Sequence, residues 1–370
     1  MPTALHLNIL GSVLAVPTDG ATRERLAAQW SRCLADDAET PVAQVDPVEN
    51  ADEDRHDYAL ASALTRAGIA QQAGRTLMLH ACGVSDLETG RVAVLVAPSG
   101  TGKTTAAHRL CATRFGYVSD ETIAIDESRT IEPYPKPLSV VLDPQDPYHK
   151  SQHSPDELTL QQTPRHPVAS LLVLLERDDG RAGEPWCETV PLLDAMLALI
   201  PHTSALPALD EPLLVLARHI TAMGGVMRLH YRDIEDCADL LQCALDRSAP
   251  LEADWSHLPP GASDRPMPYA DLPDYRTDVP VGSASVVERA PYTDAVATED
   301  EVLVLVGQAP LRLTGLGATI WVSSSRPAST STLVETCIAE HGDHPQAREL
   351  VEQAVGALLG HGVLRPAGSS

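Results

Sequence analysis

The sequence predicts an α/β domain followed by a small α+β domain of winged-helix shape, and three observations predict it. Strand-like and helix-like runs alternate through residues 1–250, as in a sheet with helices packed on it. Prolines at 250, 259, 260, 266, 268, 273 and 280 then remove backbone donors and fix φ, so 251–283 reads as a semi-extended linker. In 284–370, the short strands SASVVERA, EVLVLVG and LRLT precede helical stretches at 315–322, 329–341 and 345–360, and Gly362, Val363 and Leu364 close the chain.

Taken in order, HLNILGSVLAV reads as a strand pair and ATRERLAAQWSRCLA as an amphipathic helix. The acidic stretch VDPVENADEDRHD reads as a solvated loop, and DYALASALTRAGIAQQA returns to helical period. TLMLHACGV and RVAVLVAP read as two strands around the turn SDLETG, where Gly90 suits positive φ. MLALIP and LLVLLE read as core elements.

Composition narrows the function. The 370 residues hold 51 acidic and 27 basic side chains, a net charge of −24, which argues against nucleic-acid or anionic-membrane partners. Only three of the basic residues are lysines: Lys103, Lys136 and Lys150. Seven scattered cysteines without a C-x-x-C pair argue against a disulfide framework or zinc site. The apolar start lacks a basic n-region, and no run approaches about 18 apolar residues, so the expected location is cytoplasmic.

The strongest local signal is AVLVAPSGTGKTTAAHRL, a strand at Val92–Val96, a glycine-containing loop at 97–104 and a helix. It has the form of a Walker A loop with Ala97 at the first glycine position. Gly100 and Gly102 let backbone N–H groups curl around phosphate oxygens, and the helix N-terminus adds partial positive charge. Ser99, Gly100, Thr101, Gly102, Lys103, Thr104 and Thr105 are therefore the expected nucleotide-binding residues. Lys103 is placed on the β- and γ-phosphates and Thr104 on Mg²⁺. The chain lacks the ABC-transporter signature and the N-K-x-D guanine motif.

Seventeen residues after Lys103, the strand-like YVS ends in Asp120 and Glu121, where strand C-termini converge on bound phosphates. His80, in LMLHAC, lies on the strand before the loop strand. His80, the loop 97–104, the acidic pair at this spacing and the later YPKPLSVVLD together resemble the HPr kinase/phosphorylase family, well over 75–145 and loosely over 1–245. The resemblance implies an α/β P-loop kinase domain that moves a phosphoryl group from ATP to a serine hydroxyl. It implies Asp120 as general base, Glu121 as metal or supporting carboxylate, and His80 and Lys103 as further catalytic groups. Ala81 and Glu121 depart from the family's glycine and second aspartate, and no Arg-Gly-Leu-Gly segment is present, so a kinase without the reverse activity is expected. His149 and His153 have i, i+4 spacing suited to a metal on a helix, but their Pro/Asp-rich context reads as a solvated or substrate-facing loop. Lys136 and Arg165 could neutralise a transferring phosphate, although nothing local separates this from surface solvation.

The C-terminal module, with LRLTGLGATIW (311–321), STLVETCIAEHG (331–342) and ARELVEQAVGALLGHGVL (347–364), resembles the PqqD-like family. That resemblance implies a recognition element for the leader of a ribosomally made precursor peptide. The strand residues Leu311, Arg312, Leu313 and Thr314 would be the docking edge and 345–360 the groove wall. Ile320 and Trp321 would pack inside. Ten acidic against five basic residues in 284–370, and no Lys or Arg in 329–341, make the module a poor DNA reader. The expectation is an ATP- and Mg²⁺-dependent kinase acting on a Ser or Thr hydroxyl of a precursor peptide. The alternatives are a catalytically weak, nucleotide-dependent peptide chaperone and a small-molecule kinase.

Overall fold

The computed structural model describes residues 3–36, 38–48, 50, 52–98, 100–180, 183–261 and 286–368. The chain is mixed α/β with several sheets, and it divides into two compact units. The first holds 1–209 and 218–251, and the second holds 210–217 and 252–370.

The centre of the first unit is a six-stranded sheet in the order Trp186–Val190, Val226–Tyr231, Val168–Arg177, Arg91–Val96, Ala81–Ser85, Gly116–Ser119. Val168–Arg177 is parallel to both its neighbours, and its continuous apolar run suits a strand covered on both faces. Ala81–Ser85 is antiparallel to Arg91–Val96 and to Gly116–Ser119, so the last two run in the same direction. The start of Ala81–Ser85 and the ends of Arg91–Val96 and Gly116–Ser119 therefore lie at one end of the sheet. Ala81 pairs with Val96 and Gly83 with Ser119.

One of the expected strands is broken there. The run read as one strand through His80 splits into Leu77–Leu79 and Ala81–Ser85, and His80 itself is the break. Leu77–Leu79 instead pairs with Ile123–Ile125 in a smaller sheet with Thr203–Ser204 and Ile131–Glu132. Gly116–Ser119 and Ile123–Ile125 are likewise parted by Asp120, Glu121 and Thr122. Both segments leave one sheet for the other at the same level, which sets His80 and the acidic pair on adjoining corners.

The hairpin Thr3–Ile9/Ser12–Thr18 packs on the helix Glu53–Gln72, where Gly68 is needed because a Cβ would lie 2.6 Å from Ile9 Cγ2. The end of the acidic stretch expected to be a solvated loop, from Glu53 on, instead opens this helix. Asp52 accepts from the Arg55 N–H as N-cap, and Glu53 and Asp54 complement the helix dipole in the first turn. HKSQH is also not a loop: His149 and His153 lie in the strand Asp146–His153, paired with Leu138–Asp143.

In the second unit, Glu301–Val306 lies between Asp294–Ala297 and Ala309–Thr314. Helices Leu316–Ser323, Thr330–His341 and Ala347–Gly360 follow, and Val286–Arg289 pairs with Ala328–Ser329 and Leu364–Pro366. Ile320 and Trp321 are buried in its core, with Tyr292 edge-on to Trp321 and the Arg289 guanidinium over its ring. Part of the expected linker is structured, because Ser256–His257 pairs with Asp294–Ala297. Residues 262–283 of that linker lie outside the described residues. Asp294 is fully buried yet well bonded, accepting from the Leu213 and Leu214 N–H groups and lying 2.7 Å from His257 Nε2.

Candidate active site

Strand Arg91–Val96 delivers the loop 97–102 to the end of the sheet where the chain turns at His80 and at the acidic pair, and the helix Lys103–Cys111 begins behind it. Gly100 and Gly102 have φ of +82° and +101°, with nothing within 4 Å of a built Cβ, so the backbone conformation is what demands glycine. The buried Lys103 ammonium donates to the Ala97 carbonyl (2.7 Å) and the Pro98 carbonyl (3.1 Å). Burial holds its pKa below the usual value against the opposing pull of Glu121 and Asp120. Thr101 Oγ1 donates to Pro98 O (2.6 Å), and Ser99 lies outside the described residues.

This loop opens on a cleft of about 490 Å³. Gly100, Gly102, Lys103, Thr104 and Thr105 line it from the loop and helix side, and His80, Asp120 and Glu121 line it from the corners. Tyr58 and Thr65 of the helix Glu53–Gln72, and Ser139, Val140, Val141 and Lys150 of the hairpin, complete its walls. Lys136 also lines it, so all three lysines of the chain meet in one cleft.

Asp120 is the most constrained group there, at 3% exposure. Its Oδ1 is 3.0 Å from the Tyr117 hydroxyl and 3.1 Å from Lys136 Nζ. Lys136, 2% exposed, also donates to the Pro137 carbonyl (2.9 Å) and lies 3.8 Å from Glu121 Oε2. Burial pulls the Lys136 pKa down, but Asp120 and Glu121 outweigh it and hold the ammonium above its usual range. Tyr117, buried and next to Asp120, is pushed well above its usual value and stays a phenol donor. Among the described residues Asp120 Oδ2 has no hydrogen-bond partner, so it is the oxygen left for a ligand in the cleft.

His80 Nδ1 is 2.8 Å from the Glu121 carbonyl, which makes it the donor nitrogen and leaves Nε2 with a lone pair. Burial, then Lys103, lowers its pKa, opposed by Glu121, so the ring is neutral near pH 7. His202, whose carbonyl accepts from the His80 N–H (2.7 Å), is lowered too, by burial and then by Lys103 and His80.

Other expected site residues lie elsewhere. His149 and His153 are four residues apart on a strand, about 13 Å at the usual rise per residue, too far to share an ion. His153 contacts Ser151 and Glu157, while His149 faces Asp52 (3.5 Å). Asp52, Asp54 and His149 approach within 4.8 Å of one another, but Asp52 is occupied as a helix cap and lies 3.8 Å from Arg55. Arg165 lies with Pro133, Pro135 and Gln162 on a different surface depression. In the second unit, Leu311, Arg312, Leu313 and Thr314 lie on a strand whose one sheet partner among the described residues is Glu301–Val306, and Arg312 pairs with Glu301 (2.6 Å).

Sequence reasoning missed Lys136 as the buried partner of Asp120, having set it against surface solvation. It missed Lys150, Tyr117, Tyr58 and His202 altogether. A usable signal existed: with 24 of 27 basic residues arginine, the three positions that keep a compact ammonium stand out.

No protein-family model and no curated protein matches the chain. Among solved structures, the Hpr(Ser) kinase/phosphatase from Coxiella burnetii is similar over 46% of this chain and 93% of that one. The identity is 11% and the TM-score 0.26, a likeness that carries no argument about the chemistry of this cleft. No helix among the described residues is long and apolar enough to cross a membrane.

Proposed function

We propose that the chain is an ATP-dependent kinase that phosphorylates a Ser or Thr hydroxyl of a ribosomally made precursor peptide. The observation that carries this reading is the shared cleft, which holds both the loop lysine Lys103 and a buried carboxylate, Asp120, with one oxygen unclaimed. The loop amides and Lys103 bind and orient the triphosphate, exchanging the Ala97 and Pro98 carbonyls for phosphate oxygens. Asp120 Oδ2 accepts the hydroxyl proton of the acceptor, with Oδ1 fixed by Tyr117 and Lys136 so that the carboxylate cannot rotate away. Lys136 supplies the countercharge that a buried carboxylate requires. His80, neutral and anchored through Nδ1, presents Nε2 to the cleft as an acceptor and steadies the Glu121 corner.

Thr104 and Glu121 are the residues that would hold Mg²⁺; both line the cleft, and a hydroxyl with a carboxylate is a suitable oxygen donor pair. When bound, the ion neutralises phosphate charge. The second unit is assigned to leader capture, with 311–314 as the edge onto which an extended peptide adds a strand. Transfer of phosphate from ATP to serine-containing precursor peptides, followed by mass, tests the reading. Hydrolysis of ATP without any phosphopeptide would contradict it.

A further inference from the structure

Each lysine of the cleft has a different environment. Lys103 is held by two loop carbonyls, and Lys136 by Asp120, Glu121 and the Pro137 carbonyl. Lys150 has neither. Its ammonium lies 4.7 Å from the centre of the Tyr58 ring, and among the described residues no carboxylate is within ion-pairing distance of it. Three acids on neighbouring segments are engaged elsewhere: Asp146 with Arg55, Asp52 with His149 and Asp57 with Arg25. In a chain of 51 acidic and 27 basic residues, a cation lining a cleft without an acidic partner is unusual. An aromatic ring holds an ammonium in place without neutralising it, so the charge stays available.

The location separates Lys150 from the nucleotide machinery. It lies on the strand Asp146–His153, paired directly opposite Val141 in a hairpin that contributes nothing to the phosphate loop. Val140 and Val141 line the same wall of the cleft.

We propose that Lys150 is the acceptor-binding cation of this cleft, taking an anionic group, carboxylate or phosphate, carried by the molecule that receives the phosphoryl group. The proposal rests on the kinase reading and deepens it by naming a charge requirement for the acceptor.

Calorimetric binding tests this apart from turnover. Four short peptides, each with one serine, would be titrated into the full chain loaded with ADP and Mg²⁺. One is neutral and amidated, one has a free C-terminal carboxylate, one has a neighbouring glutamate and one a neighbouring phosphoserine. At least one anionic peptide is expected to bind ten-fold or more tightly than the neutral one. Lys150→Met should reduce it to the neutral level and Lys150→Arg should keep the preference, and the peptide that wins identifies the source of the charge. Equal binding of all four, no binding of any, or an intact preference in Lys150→Met would overturn the proposal. A ten-fold fall in ADP affinity in Lys150→Met would assign the ammonium to the nucleotide and overturn it equally. Adding ATP to the same samples separates the two claims: a preference without phosphate transfer removes the kinase reading and leaves the anion site.

Discussion

At the scale of single residues, the controlling pair is Asp120 and Lys136, each almost wholly buried and 3.1 Å apart. Removing one partner strands the other's charge in a low-dielectric site. Lys136→Met should therefore cost about 3–5 kcal/mol in urea unfolding, and the double variant with Asp120→Asn should recover most of the loss. Histidines around the cleft add a pH dependence whose sign is fixed. His80, His108 and His202 are all held below the usual 6.5, in each case chiefly by burial. The unfolded chain then binds protons first, so stability is unaffected above about pH 6.5 and falls as pH drops from there toward the folded values. Urea midpoints at pH 7.5, 6.5 and 5.5 should show that decline, and His80→Gln should reduce it. Lys103 was legible in the sequence from the loop pattern, whereas Asp120 and His80 stood out through their spacing and the family resemblance. Lys136 was not, because its partner is sixteen residues away and the pairing exists only in space, while nothing in its own setting, Tyr-Pro-Lys-Pro, separates a buried ammonium from a solvated one.

At the scale of elements, the site depends on strands that change sheets. His80 and Asp120 occupy such corners, and the chain entering the second corner is tightly packed. A Cβ at Gly116 would lie 2.4 Å from Ser85 Oγ and 2.6 Å from the Gln162 carbonyl. Gly116→Ala should lower stability by about 1–3 kcal/mol, read from the denaturation midpoint, because a backbone carbonyl cannot yield as a side chain can. The sequence showed the acidic pair that ends Gly116–Ser119 but not the break at His80, since LMLHACGV is apolar almost throughout and carries no turn residue at position 80. The hairpin bearing Lys150 was missed for the opposite reason: DPYHKSQH is too polar to signal a strand, and pairing with Leu138–Asp143 is what orders it.

At the scale of the whole chain, two compact units divide the proposed work, and the second has a core of its own around Trp321. The sequence showed the change of pattern near 284. It did not show that 210–217 and 252–261 group with the second unit, because that follows from long-range contacts such as Asp294 with the Leu213 and Leu214 amides. If the second unit captures a leader, tethering raises the local concentration of the acceptor. A precursor peptide lacking its leader should then show a KM at least ten-fold higher with an unchanged kcat; equal KM values would remove that role. The central claim is that Asp120 takes the acceptor proton. Its most direct test is to incubate the chain and its Asp120→Asn variant with ATP, Mg²⁺ and a precursor peptide and weigh the product. The account predicts a gain of about 80 Da with the native chain, the mass of one phosphoryl group. It predicts at least a ~100-fold slower gain with Asp120→Asn, the usual weight of a general base, at unaltered ATP affinity. Equal rates of phosphopeptide formation in the two proteins would contradict it.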